Sequence, residues 1–384
     1  MFTPAEFDAI RAYEDRDLGA TIKTLFADEA FRGVLQSLFP NQSLPLLEKQ
    51  LSSYTSILEF QKNFIHGLVT QLIQKTGNGL TLDISALTNR EMPYTYISNH
   101  RDIILDSALL DILLINAEFP QTVEIAIGDN LLVYPWIKHI VRLNKAFIVQ
   151  RSLSLREMLS ASKLMSRYMH FVISQKKNPI WIAQREGRAK DGNDRTQEAV
   201  LKMIAMGGEG TVAGRLKTMH IVPLAISYEF DPCDFLKAKE FQMKRDNPAY
   251  KKTRADDLIN MQTGLAGYKG RIHYACAPCL DEWIAKQEGL SNAEFFVATA
   301  RRLDEEIYRN YRLYPNNFVA LDLLNDGKDY ATHYSEEDKT SFKQYIRQQI
   351  DKIDLPNKDE AFLRERLLEM YANPAKNQLA VYKI

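Results

Sequence analysis

Tyr94-Thr95-Tyr96-Ile97-Ser98-Asn99-His100-Arg101-Asp102-Ile103-Ile104-Leu105-Asp106 runs from an aromatic and β-branched segment directly into a helical pattern. Side chains of the first kind pack well on a pleated sheet, which predicts a strand over 94–98. The same alternation recurs on both sides of it. Further strand-like runs lie at 123–127, 146–149, 179–183, 220–227 and 271–276, with helical patterns at 105–119, 153–175 and 194–206 between the earlier ones. Strands alternating with helices predict an α/β domain with a mostly parallel sheet flanked by helices. Ligands bind such sheets beyond the carboxyl ends of the strands, so residues just after each run are where chemistry is sought.

This domain is expected over 81–285. A helical N-terminal segment precedes it at 1–80: Thr3 and Pro4 form a helix start, a short amphipathic run covers 30–39, and a longer helix covers 53–75 before the Gly77-Asn78-Gly79 turn. A helical C-terminal segment follows at 286–384, with patterns at 292–310, 336–353 and 358–372. Residues 236–255, rich in Lys and Arg with few apolar residues between, read as an exposed insertion.

Composition narrows the function classes. With 49 Lys+Arg against 49 Asp+Glu in 384 residues, the formal net charge is zero, so the chain is not one that coats nucleic acid by bulk charge. Three cysteines, Cys233, Cys276 and Cys279, fit a reducing compartment. The N-terminus has neither the basic nor the apolar region of a signal peptide. The most apolar stretch, 103–119, is interrupted by Asp106, Asp111 and Glu118, whereas a membrane span needs about 20 apolar residues with few charges. A cytoplasmic protein that touches a membrane surface without crossing it is the expectation.

Of seven histidines, His100 is the one placed for catalysis, directly after a strand and one helical turn before Asp106, with Arg101 and Asp102 beside it. A histidine with a nearby carboxylate makes a general base, the carboxylate fixing the tautomer and stabilising the imidazolium. Alone, such a pair is more often a structural hydrogen bond. Three more clusters end strands of the same domain: Phe147-Ile148-Val149-Gln150-Arg151; Ala183-Gln184-Arg185-Glu186-Gly187-Arg188; and Ile221-Val222-Pro223, a proline inside a sheet pattern. Arginine grips phosphate through paired donors, although any one cluster alone reads as a surface salt bridge.

Together and in this order the four clusters resemble the glycerophospholipid acyltransferases, over about 90–227. That family carries an Asn-His-x4-Asp block, a block ending Phe-Ile-x-Arg, a Glu-Gly-Thr-Arg-type block and a block with Val-Pro. The resemblance implies transfer of an acyl group from coenzyme A or acyl carrier protein to a hydroxyl of a lysophospholipid or glycerol phosphate, with 1-acylglycerol-3-phosphate favoured. It implies His100 as base and Asp106, or alternatively Asp102, as its partner. Arg151, Arg188 and Arg185 would hold the acceptor phosphate, Glu186 would orient them, and Asn99, Arg101, Gly187 and Pro223 complete the substrate site. It implies no metal and no cofactor beyond the acyl carrier, and action at the inner face of a membrane. The sequence departs from the family twice: the position five residues after His100 is Leu105, and no threonine separates Gly187 from Arg188. The acceptor pocket is therefore expected to be reshaped. The shifted aspartate also suits a rival, an inactive lipid- or acyl-binding protein.

Other signals are weaker. Cys276-Ala277-Pro278-Cys279 has redox spacing but ends a strand instead of starting a helix, so two packed thiols are expected in place of a thiol–disulfide oxidoreductase. The glycines of 207–214 read as a helix C-cap and mobile loop. The apolar run 131–137, followed by Lys138, His139, Arg142 and Lys145, reads either as a membrane-touching surface or as a helix packed on the sheet with its basic end toward the phosphate pocket.

Overall fold

A computed structural model describes residues 4–151, 153–287 and 289–382. Its centre is one seven-stranded sheet: β1 (Leu80–Asp83), β2 (Thr95–Ser98), β3 (Glu124–Gly128), β4 (Ala146–Val149), β5 (Ile180–Ala183), β6 (Ile221–Tyr228) and β7 (Ile272–Cys276), in the order β1-β7-β6-β2-β5-β3-β4. Neighbouring strands from β6 to β4 are parallel, while β7 runs antiparallel to β6 and carries β1 parallel to itself. The six strands expected from the sequence all form. β1 was not foreseen, because it is a half-exposed edge strand whose alternation is carried by only four residues.

Alternate residues feed opposite faces, as the strand period requires. Ile97, Ile182 and Ile221 enter the core shared with Tyr168, Met169 and Leu303. Tyr96, Trp181 and Val222 enter the other core, shared with Leu109, Leu110 and Leu113 of the helix Leu105–Asn116. That helix is apolar nearly all round because the helix His66–Thr76 covers its outer side. Among the described residues no helix is long and apolar enough to cross a membrane.

Pro223 stands in the middle of β6 opposite Ile97 of β2. Its carbonyl accepts from the Ala277 N–H at 2.9 Å, so its nitrogen faces the same side, just beyond the last β6–β7 pair, Leu224 with Cys276. The missing donor thus falls where that ladder has ended, which is how a central strand accommodates proline.

The N-terminal helices, including Asp15–Ala27, Glu29–Leu38 and Leu44–Ser52, close a separate core around Ile22, Phe31, Leu47 and Phe60. Trp136 and Ile140 of the helix Pro135–Leu143 pack onto it. The basic end of that helix therefore faces the N-terminal segment, not a phosphate pocket. Arg142 is buried, donates to the Arg11 and Asp8 carbonyls and lies over the Tyr13 ring, whose hydroxyl meets His139 Nδ1 at 2.9 Å. Lys145 is buried on Gln121 and Thr122.

The segment 236–255 is an exposed insertion only in its second half, where most residues of 244–255 are exposed. Asp234–Asp246 is a helix that buries Lys237, Ala238, Glu240 and Gln242 against the C-terminal helix Glu360–Tyr382. Its charges are used internally: Lys237 pairs with Asp231, Glu240 pairs with Lys190 and Lys244, and Arg245 lies over the Phe362 ring. The glycine segment is loop only as far as Thr211, which caps the helix Val212–Lys217. Gly207 takes a hydrogen bond from its N–H to Ser166 Oγ at 2.6 Å, and a Cβ there would stand 2.7 Å from the His170 ring.

His273 on β7 is buried with Nδ1 2.8 Å from Thr81 Oγ1 of β1. Burial first, and Arg312 second, push it from 6.5 down to about 4. The unfolded chain then binds a proton that the folded chain does not, so this group removes stability as pH falls from about 6.5 toward 4. His273→Asn is expected to flatten the decline of the melting temperature across that window. An unchanged decline would assign the acid sensitivity elsewhere.

Candidate functional site

The chain leaves β2 through Asn99 and His100 and re-enters a helix at Leu105. Asp102 makes the turn: its Oδ1 accepts from the N–H groups of Ile104 and Leu105 at 2.9 and 2.8 Å, as an aspartate does when it holds a tight turn. The first turn of the helix then brings Asp106 back beneath His100. His100 Nδ1 lies 2.8 Å from Asp106 Oδ2, and the same oxygen accepts from the Arg101 N–H at 2.6 Å. Asp106 is fully buried, while the His100 side chain keeps 14% of its surface exposed. A carboxylate only accepts, so this bond puts the proton on Nδ1 and leaves Nε2 as the basic nitrogen. Asp106 is the hydrogen-bond partner of His100, and Asp102 holds the turn before the helix. The one-residue displacement from the family spacing is absorbed inside the helical turn.

Two residues outside the expected set hold this pair. Trp181 of β5 packs its ring against the His100 ring, edge to face at 5.8 Å, and donates from Nε1 to Ser98 Oγ at 3.0 Å. Tyr274 of β7 donates to the Asp106 carbonyl at 2.9 Å. Sequence reading put Trp181 in the core, where it is, but the adjacency to His100 comes only from the pairing of β2 with β5.

Arg151 follows β4 and remains open, with 37% of its side chain exposed and Nη1 3.2 Å from Glu186 Oε1. Glu186 and Gly187 are exposed, and Arg185 is half-buried with its Nε shielded and unpartnered. Gly187 takes φ 68°, the left-handed region that glycine enters freely. Beyond it Arg188 turns inward and donates from Nη2 to Asn260 Oδ1 at 2.8 Å.

Three expected substrate contacts lie elsewhere. Asn99 is fully buried, its amide nitrogen donating to the Ile226 carbonyl at 2.9 Å and its oxygen accepting from the Ile226 N–H at 2.8 Å. It fastens the end of β2 to β6. Arg101 is buried against Asp194 at 2.9 Å. Pro223 is buried within the sheet. These three support the site from behind.

Burial pushes the Cys276 thiol far above its ordinary value and the Cys279 thiol up to about 12. A thiol held protonated is a poor nucleophile and metal ligand, so the pair packs as two thiols. Among the described residues no group of three or more His, Cys, Asp or Glu is placed to hold a metal ion.

Comparison with known proteins bears on the same part of the chain. No curated protein matches the sequence. Among solved structures, the 1-acyl-sn-glycerophosphate acyltransferase PlsC of Thermotoga maritima is similar at 12% identity and a TM-score of 0.35, over 76% of this chain and 95% of that one. The family model that matches is Acyltransferase, over residues 81–227, a span holding His100, Asp106, Arg151 and the Arg185–Arg188 turn. That span reaches from β1 nearly to the end of β6, and it is this part of the chain that is similar to the acyltransferase family.

Proposed function

We propose that the protein moves a fatty acyl group from a thioester of coenzyme A or acyl carrier protein to a free hydroxyl of a lysophospholipid, with 1-acylglycerol-3-phosphate as the favoured acceptor. The observation that carries this reading is the His100–Asp106 bond at the carboxyl end of β2. Nε2 of His100 takes the acceptor's hydroxyl proton as that oxygen attacks the thioester carbonyl. The C–S bond then breaks, and the same nitrogen returns the proton to the leaving thiolate. Asp106 holds the imidazole and stabilises its charged form.

Arg151 and Arg185, at the ends of β4 and β5, are the cations we assign to the acceptor phosphate. Glu186 orients Arg151. Glycerol 3-phosphate and a lysolipid without a terminal phosphate are the competing acceptors. The chain segments after β3 and β4 expose Tyr134 (47%), Met158 (43%) and Leu159 (62%) beside this end of the sheet. We assign that rim to the lipid surface.

The test is thioester consumption by the purified protein, with acyl-coenzyme A and acyl carrier protein donors against glycerol 3-phosphate, 1-acylglycerol-3-phosphate and zwitterionic lysolipids. Arg151→Ala is expected to raise the acceptor KM about ten-fold and leave the donor KM alone, the size of losing one charged hydrogen bond. A rise in the donor KM only would move Arg151 to the thioester site. No transfer with any pair, together with lipid binding, would establish the inactive binding protein instead.

A further inference from the structure

The family match ends at residue 227, yet the loop that carries Arg185 and Glu186 is seated on chain that lies beyond it. β5 ends at Ala183 and the next helix starts at Glu198. Between them the ends of the loop meet. The Gln197 N–H donates to the Gln184 carbonyl at 2.9 Å, and the Glu186 N–H donates to Gln197 Oε1 at 2.9 Å. A compact surface loop whose ends touch is an Ω-loop. Its first turn is open, with Arg185 half-buried and Glu186 and Gly187 exposed. Its second half, from Lys190 to Thr196, is fastened down.

Met370, Asn373 and Asn377 of the helix Glu360–Tyr382 lie on one helix face and do much of that fastening. Asn373 donates from Nδ2 to the Asp191 carbonyl at 2.7 Å, and Asn377 from Nδ2 to Asn193 Oδ1 at 3.2 Å. Gly192, between those two loop residues, takes φ 69° and comes so close that a Cβ on it would stand 2.2 Å from the Met370 carbonyl oxygen. In an unbroken helix that carbonyl would accept from the N–H four residues on. Here that residue is Pro374, which has no N–H, so the carbonyl is left open to the loop. A proline inside the helix and a left-handed glycine in the loop thus meet at one point. The remaining holds also come from beyond residue 227. Lys190 pairs with Glu240, and Thr196 donates its N–H and hydroxyl to Asp304 Oδ1 at 2.8 and 2.6 Å. Tyr308 donates to the Asp194 carbonyl.

We propose that the helix Glu360–Tyr382 is the seat of this loop, and that Asn373, through the Asp191 backbone, sets the position of Arg185 and with it the affinity for the acceptor. Asn373 is a positioning residue and touches no substrate. The physical reason is preorganisation. A side chain on a loop already held in place binds its ligand without the cost of ordering the loop, whereas a loop released from its seat must be ordered at each binding event. The inference rests on the reading that Arg185 meets the acceptor. It adds that a helix far outside the family's span supports that contact.

The experiment compares wild type with Arg185→Ala, Asn373→Ala, Gly192→Ala and the double variant of Arg185→Ala and Asn373→Ala. Lys376→Ala, on the exposed side of the same helix, is the control. Acceptor affinity is read twice, as KM in thioester consumption and as the calorimetric Kd of 1-acylglycerol-3-phosphate. Asn373→Ala is expected to raise both about five-fold, the size of one hydrogen bond, with kcat and donor KM unchanged. Gly192→Ala breaks the same contact from the side of the loop and is expected to raise them at least as much. In the Arg185→Ala background, Asn373→Ala is expected to add nothing, because the two act as a unit. If Arg185→Ala weakens the acceptor while Asn373→Ala and Gly192→Ala do not, the seat alone is overturned. Additive losses, or equal losses for donor and acceptor, overturn it too, since a merely structural contact would produce them. Arg185→Ala without effect overturns the acceptor reading of the loop and the seat with it. The expected Kd pattern in a chain without turnover upholds the seat and refutes acyl transfer.

Discussion

His100→Ala is expected to lower kcat for acyl transfer by about 10²–10⁴-fold, with both substrate KM values close to wild type. The reason lies in what the side chain touches. Its Nδ1 is spent on Asp106, and the rest of the ring rests edge-on against Trp181. Nε2 alone is left for a reacting group. Alanine removes that base but disturbs neither Asp106, which keeps the Arg101 N–H, nor the arginines at the ends of β4 and β5. A uniform binding loss would raise KM; loss of a proton acceptor used only as the bond forms lowers kcat. Wild-type turnover in His100→Ala would remove the dyad from the reaction and leave its hydrogen bond as a structural one.

Much of this was legible before the structure. Six strands announce themselves by β-branched and aromatic runs that end in the residues of interest, and a helical turn of spacing is enough to choose Asp106. What escaped is of one physical kind: contacts between residues far apart in sequence. Asn99 looks like a substrate ligand until Ile226 takes both ends of its amide. Arg188 looks like an open phosphate ligand until Asn260 meets it. Lys237 and Glu240 look like a solvated charged face until Asp231 and Lys190 are folded against them. Charge patterning along a chain shows which residues need partners, not whether water or protein supplies them. The basic run at 138–145 failed in the same way, because Arg142 and Lys145 answer carbonyls of the N-terminal segment and of residues 121–122.

The same reasoning makes Arg101 the largest stability liability next to the dyad. Its guanidinium meets Asp194 Oδ2 at 2.9 Å with side-chain exposures of 10% and 0%, and it lies over the Tyr311 ring, whose hydroxyl donates to the same carboxylate at 3.1 Å. This cluster fastens the chain after β2 to the residues that follow the helix Asn292–Arg309. Burial holds the Asp194 carboxyl above the ordinary range, even with Arg101 beside it. The attraction within the pair therefore only partly offsets the desolvation of its members, as is usual for buried ion pairs. Arg101→Met keeps the bulk and removes the charge, leaving Asp194 buried without its ion-pair partner and with the Tyr311 hydroxyl as its side-chain donor. The expected loss in urea unfolding is roughly 3–5 kcal/mol. It should depend on pH in one direction. Without Arg101 the folded carboxyl is still harder to ionise, so the folded state retains a proton that the unfolded chain releases above its ordinary carboxylate range. Stability then falls as pH rises. The deficit of Arg101→Met should be larger at about pH 8 than at about pH 5, and adding Asp194→Asn should recover part of it and flatten the dependence. A deficit that is the same at both pH values and unaffected by the second substitution would show that Arg101 contributes through packing on Tyr311, not through its charge.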